Sequence, residues 1–177
     1  MKLLWGARYA RWDLLRVVNL LAARVDKWTT KCDKWLFRLM CYIHSTQDMV
    51  LSGAVGDLFS ELTLDMWTDA DWAGDRTDWK STSWVFLAAV GPHTDFPLYA
   101  RSKKQGSQAT STPEAELVAA NYGTRKVLCA VLDLFDALRP KAKGKTPSRL
   151  REDNSAAKSV IDCLLYTSDA ADDLWCG

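Results

Sequence analysis

Carboxylates in three separate stretches are the groups of this chain best placed to do chemistry. The first stretch is Thr68-Asp69-Ala70-Asp71-Trp72-Ala73-Gly74-Asp75. The second is Ser111-Thr112-Pro113-Glu114-Ala115-Glu116-Leu117-Val118-Ala119-Ala120, and the third is Glu152-Asp153-Asn154-Ser155-Ala156-Ala157. Each puts an acid at the end of a predicted strand or in the first turn of a predicted helix. Carboxylates delivered by different elements can converge on hard divalent cations, and oxygen-ligated Mg²⁺ is the metal of phosphoryl chemistry. Each acid also has a plain structural explanation. Asp69, Asp71 and Asp75 suit a turn after a strand, Glu114 complements a helix dipole, and Asp153 suits the cap of a following helix. Glu116 is less needed at its helix start and lies one turn from the small pair Ala119 and Ala120. The combination of all three carries more weight than any member.

These acids need elements to position them. Residues 9–46 read as two helices: Leu14, Leu15, Val18, Leu21 and Ala22 recur at helical spacing, and so do Trp35, Leu36, Leu39, Met40 and Ile43. From Leu62 the period drops to two. Leu62, Leu64 and Met66 alternate with Thr63, Asp65 and Trp67, which predicts a half-buried strand ending at Asp69. The run 83–90 predicts a second strand, Gly91-Pro92-His93-Thr94-Asp95 a turn, and 96–102 a third strand closing a hairpin. His93 is expected at the exposed turn. Ser111 or Thr112 caps a long helix through about Leu138, with Pro113 in its first turn and Glu114 completing a capping box. Gly123 inside that helix costs about 1 kcal/mol relative to Ala, so close packing or a local irregularity is expected there. A short strand over 148–152 and a helix over 156–162 follow, with Asn154 or Ser155 as its cap. The pattern is α/β.

The 177 residues suit one domain with a flanking segment. Hydrophobic content of 48% and charged content of 25% are ordinary for a globular protein, and a net charge of +1 makes no global case for a polyanionic partner. Nine tryptophans are many for this length, and exposed ones could stack on sugars or bases. Five scattered cysteines without a C-x-x-C pair, together with only two histidines, argue against zinc and for reduced intracellular thiols. No stretch is long and apolar enough to span a membrane.

The series Asp69-Ala70-Asp71-Trp72-Ala73-Gly74-Asp75, Lys80-Ser81-Thr82-Ser83, Ser102-Lys103-Lys104-Gln105, Ser111-Thr112-Pro113-Glu114-Ala115-Glu116 and Asp153-Asn154-Ser155-Ala156 resembles, in the same order, the ribonuclease H domain of copia-type LTR retrotransposon polyproteins. Residues 62–160 carry the resemblance. It implies a ribonuclease H-like mixed sheet, with a three-strand antiparallel meander plus a parallel strand and flanking helices, over residues 61–162. Residues 1–60 resemble the helical end of the same polyprotein's reverse transcriptase, without the polymerase's catalytic Asp pair. The resemblance further implies Asp69, Glu116 and Asp153 as catalytic, metal-holding acids, with two Mg²⁺ ions that Mn²⁺ could replace. Its reaction would be hydrolysis of the RNA strand of an RNA–DNA hybrid, in an intracellular retroelement particle or the nucleus. The reverse transcriptase portion would be a partner, with no membrane involved. Lys80, Arg101, Lys103 and Lys104, and the loop bearing Lys141, Lys143 and Lys145, are the candidate phosphate contacts. Ser81 and Thr82 are candidates for pinning the loop that follows Asp75.

The chain departs from that family twice. Trp84 stands where the family has Gly. The family's later segment with a fourth acid has no counterpart here; instead, residues 163–172 resemble a translated sequencing-library adapter. Residues 163–177 are therefore expected to be a non-native tail that truncates the domain, with none of Asp162, Asp169, Asp172 and Asp173 replacing the fourth acid. Two other functional classes compete with the nuclease: a hybrid-binding module that does not cut, and a non-functional relic.

Overall fold

A computed structural model describes residues 2–75, 78–139 and 144–172, with residue 75 and residues 164–172 described by their backbone only. Three N-terminal helices come first: α1 (Lys2–Tyr9), α2 (Leu15–Ala22) and α3 (Thr30–Ser45). The two helices read from the sequence over 9–46 are α2 and α3, and α1 precedes them. The break between α1 and α2 is made at Arg11, whose guanidinium binds Asp13 and the carbonyl and hydroxyl oxygens of Thr46. This bond network also ties the end of α3 back to the start of α2.

Strands β1 (Thr63–Asp75), β2 (Lys80–Gly91) and β3 (Thr94–Lys104) form an antiparallel meander. β4 (Ser148–Arg151) joins β1 in parallel, giving the order β3-β2-β1-β4. Between β3 and β4 lie α4 (Thr112–Gly123), a π-helical turn over Thr124–Leu128, and α5 (Cys129–Leu138). α6 (Ser155–Asp172) follows β4.

Alternation sorts the two sheet faces. Leu64, Met66, Val85 and Leu87 point to one face and pack under Val127, Leu128 and Phe135. Burying each such side chain contributes about 1.5–3 kcal/mol. Phe86 and Ala100 point to the other face, under Leu14, Leu15, Val18 and Leu21 of the N-terminal helices. Pro97 is tolerated because β3 is the outer strand of the sheet and the ladder shifts register beside it.

Strand β1 does not stop at Asp69 as the sequence reading had it. It runs six residues further and pairs Asp69 with Trp84, Ala70 with Ser83 and Asp71 with Thr82. A register shift then follows, with Ala73 at φ 50°. Ser81, fully buried, accepts a hydrogen bond from the Ala73 N–H at 3.1 Å and holds that bulge. Ser81 thus pins the strand before Asp75; residues 76 and 77 of the loop after it lie outside the described residues. Gly74 leaves room there for the Asp71 carboxylate, which an added Cβ would displace.

Both expectations for Gly123 hold. A Cβ there would meet Met66 Sδ at 3.0 Å and Thr68 Cγ2 at 3.2 Å, and the helix widens into its π turn one residue later. Single π turns are a recognised irregularity within α-helices. The last helix extends past its expected end at Asp162; Leu164, Leu165, Ala170 and Ala171 are residues of good helix propensity. No helix among the described residues is long and apolar enough to cross a membrane.

Candidate metal centre

The parallel ladder between β1 and β4 ends where Trp67 meets Arg151. Two residues further stand Asp69, still in β1, and Asp153, past the end of β4, across a gap no ladder fills. Glu116 enters from α4. Its helix is set against the sheet by small residues: Ala115 and Ala119 are fully buried and pack with Ala70. The start of the helix is fixed twice. Ser111 Oγ accepts from the Glu114 N–H, while Glu114 accepts from the N–H and hydroxyl of Thr110 at 2.6 Å. The expected capping box therefore closes one residue early, and Glu114 is spent on it. Buried Gln105 donates to Ser83 Oγ and to the Ala115 carbonyl, both at 2.9 Å, and so ties β2 to the first turn of α4.

One carboxylate oxygen from each of Asp69, Glu116 and Asp153 lies within 4.8 Å of the other two. Asp69 and Asp153 are exposed, whereas Glu116 is 4% exposed, and its Oε2 is buried without a hydrogen-bond partner. Burial, reinforced by the negative charges of Glu152, Asp69 and Asp153, pushes the Glu116 carboxyl up to about 7; a hydrogen bond from the Ala70 backbone opposes the rise. A buried carboxylate with an unpartnered oxygen, grouped with two more carboxylates, is costly unless a cation or a proton satisfies it. The donor set is all oxygen, which suits Mg²⁺ or Mn²⁺ and not a soft-ligand metal. Among the described residues the group has three members. Asp162 is exposed and outside it, Asp169 and Asp172 are described by backbone alone, and Asp173 lies outside the described residues.

Sequence reasoning missed Glu152. It is buried, accepts from Thr68 Oγ1 at 3.0 Å and from the Asn154 N–H at 3.2 Å, and so links the residue before Asp69 to the residue before Asp153. Asn154, one of the two expected caps, accepts from the N–H groups of Ala156 and Ala157 at 3.0 Å and starts α6.

The candidate phosphate contacts lie elsewhere. Arg101 and Lys103 extend over the Tyr122 ring on the α4 side of the sheet, 5.9 and 4.7 Å from its centroid. Lys104 pairs with Asp78 at 2.8 Å, and Lys80 stands at the start of β2. None of the four lines the two open cavities that share Asp69. The cations that do are Arg16, paired with Asp71, in one cavity, and Arg151 and Lys158 in the other. Lys141 and Lys143 lie outside the described residues. His93 is exposed in the hairpin turn, where its N–H donates to Asp57.

A four-stranded mixed sheet of three antiparallel strands and one parallel strand, with helices on both faces and an acidic group where the central and parallel strands part, is a ribonuclease H-like α/β architecture. The chain is similar to two retrovirus-related Pol polyproteins of Arabidopsis thaliana, those from transposons RE2 and RE1. It is 33% identical to the first over 128 residues and 30% identical to the second over 126, in each case 70% of this chain. Each match spans 8% of the relative's own length. No family model matches the chain, and no solved structure matches it.

Proposed function

We propose that this chain is the ribonuclease H portion of a retrotransposon Pol polyprotein, hydrolysing the RNA strand of an RNA–DNA hybrid with divalent metal. The observation that carries the reading is the buried Glu116 carboxylate, with an oxygen that lacks a hydrogen-bond partner, grouped with Asp69 and Asp153. The similarity to transposon Pol polyproteins supports it independently.

Asp69, Glu116 and Asp153 would hold Mg²⁺, with Mn²⁺ as a substitute. Two bound ions of this kind supply an activated water and charge stabilisation at the phosphoryl and leaving oxygens. The chain's own contribution is placement. Glu116 is rigid, fixed by α4 and by the Ala70 backbone, and Asp69 and Asp153 hold the open side where a phosphate can approach. Glu152 keeps its own oxygens on Thr68 and Asn154, so it stays out of the ligand set while fixing its neighbours. Preference for an RNA strand would come from contacts to 2′-hydroxyls across a wide minor groove.

One observation favours a second reading, a hybrid-binding module that does not cut: the acidic group among the described residues has three carboxylates. Cleavage of an end-labelled RNA–DNA hybrid in Mg²⁺ or Mn²⁺, wild type against Asp69→Asn, decides between the two. The nuclease reading expects cleavage that falls about 100-fold or more in the variant. Hybrid binding by folded wild type, without cleavage in either metal, would leave only the binding module.

A further inference from the structure

Trp84 is the ladder partner of Asp69, so its side chain leaves the sheet on the same face and beside the acid. It is half-buried. Phe86, two residues along the strand, stacks with it, ring planes 9° apart and centroids at 5.9 Å. Trp67 and Trp12 in turn close on Phe86 at 5.4 and 5.9 Å. The row of rings braces Trp84 from behind and limits the rotamers open to it.

Two open cavities meet at this point. One is bounded by Arg16, Thr82 and Phe86, the other by Trp67, Arg151 and Lys158, and Asp69 and Trp84 belong to both. The indole therefore forms the divide between two grooves that each reach the acidic group. This setting matches one ligand chemistry. A purely apolar ligand would bury against carboxylates, and an acidic peptide would be repelled by them. A nucleotide has a flat π-face for the braced ring and a phosphate for a metal-loaded acidic group and for Lys158. Stacking on an aromatic platform is tolerant of base identity, as a nuclease without sequence preference needs.

We propose that Trp84, backed by Phe86, is a stacking platform for the nucleobase next to the phosphate held at Asp69, Glu116 and Asp153. The platform rests on the ribonuclease H reading given above and adds a specificity-determining residue to it: a base must come off the duplex stack, or slide at its edge, to reach the indole. Sites with an unpaired or weakly stacked nucleotide beside the cut are therefore preferred over continuous duplex.

The test puts the reporter in the nucleic acid, since the protein has nine tryptophans. A hybrid carrying 2-aminopurine at successive positions of the RNA strand is titrated with the full chain in Ca²⁺, so that binding is read without turnover. Fluorescence anisotropy of a distant label reports binding, and 2-aminopurine emission reports stacking. The expected result is a change in 2-aminopurine emission confined to one or two positions flanking the cut site. Trp84→Phe should retain it. Trp84→Leu should lose it and bind about tenfold more weakly, the scale of one base–aromatic stack. A signal equal at all positions, or one unchanged in Trp84→Leu, overturns the platform. The positional scan uses wild-type protein and so stands even if the Leu variant fails to fold. Wild type that binds no hybrid by anisotropy would overturn the nuclease reading itself, and the platform with it.

Discussion

Asp65 and Asp69 lie four residues apart on the same face of the same strand, yet they meet opposite fates. Asp65 is 1% exposed, and its two oxygens accept from Arg149 at 2.8 Å and Arg151 at 2.9 Å. Asp69 is exposed and faces Glu116 and Asp153. The difference comes from β4. Its register sets Arg149 against Asp65 and Arg151 against Trp67, and the next two residues are Glu152 and Asp153. The neighbouring strand thus changes sign exactly one step past the end of the ladder. One acid is neutralised inside the protein and fastens the edge strand. The other is left among like charges and takes its counter-charge from solution. Acid content alone does not separate structure from chemistry; the sign of the adjacent strand does.

The largest test of this contrast is the pH dependence of stability without metal. The Glu116 carboxyl is raised from its ordinary 4.5 to about 7. Between those values the folded state keeps a proton that the unfolded state has released. Stability therefore falls as pH rises through the window, and is flat with respect to this group below and above it. The full span is at most about 3 kcal/mol. Chemical unfolding in chelator at pH 4.5 and pH 7.5 should show the loss. Glu116→Gln should flatten it, and millimolar Mg²⁺ should recover stability at the higher pH by taking the place of the proton. A slope that Glu116→Gln leaves unchanged would show that the acidic group holds no such strain.

Next comes the same substitution made at both acids. Asp65→Asn removes the charge that two arginines bind and should cost about 2 kcal/mol; the arginines are about half exposed and rehydrate, which keeps the loss below that of a fully buried pair. Asp69→Asn removes a like charge from the acidic group, so the metal-free protein should become more stable. With Mg²⁺ the order for Asp69 reverses, because the variant binds the ion less tightly. Thermal melts with and without metal read both effects. Two shifts of the same sign in chelator would erase the distinction drawn between these acids.

The sequence shows what is local and hides what two strands decide together. The alternation of Leu62, Leu64 and Met66, the Pro92-His93 hairpin turn, and the Ser111 cap three residues before Glu114 are near-neighbour patterns, and the structure has each of them. The grouping of Asp69, Glu116 and Asp153 was legible through the ordered series of motifs and the resemblance it carries. The continuation of β1 past Asp69 was not, because the turn-forming Asp71 and Gly74 are accommodated by a bulge that the buried Ser81 holds from β2. Which face each cation occupies was hidden for a related reason. Lys103 is basic, but alternation along β3 carries it with Arg101 to the Tyr122 side. Arg16, remote in sequence, reaches Asp71 through the docking of α2. Glu152 read as one more acid before a helix, and only the partner Thr68 gives it a role.

That partner gives the smallest and most local test. Thr68→Val keeps the shape of the side chain and removes the donor to Glu152 Oε2, a buried bond of 3.0 Å. The loss should be about 1 kcal/mol, since Glu152 keeps its bond from the Asn154 N–H. The bond joins the residues just before two members of the acidic group, and it is separate from the Asp65 pairs further down the strand. Combined with Asp65→Asn, Thr68→Val should therefore add to within about 0.5 kcal/mol, as independent sites do. Combined with Asp69→Asn, it should not add, because relaxing the repulsion removes part of what Thr68 holds against. Mg²⁺ titration should show weaker binding in Thr68→Val and unchanged binding in Asp65→Asn. Equal coupling of Thr68 to both acids would mean that β4 acts as one rigid unit, with no boundary between its basic and its acidic halves.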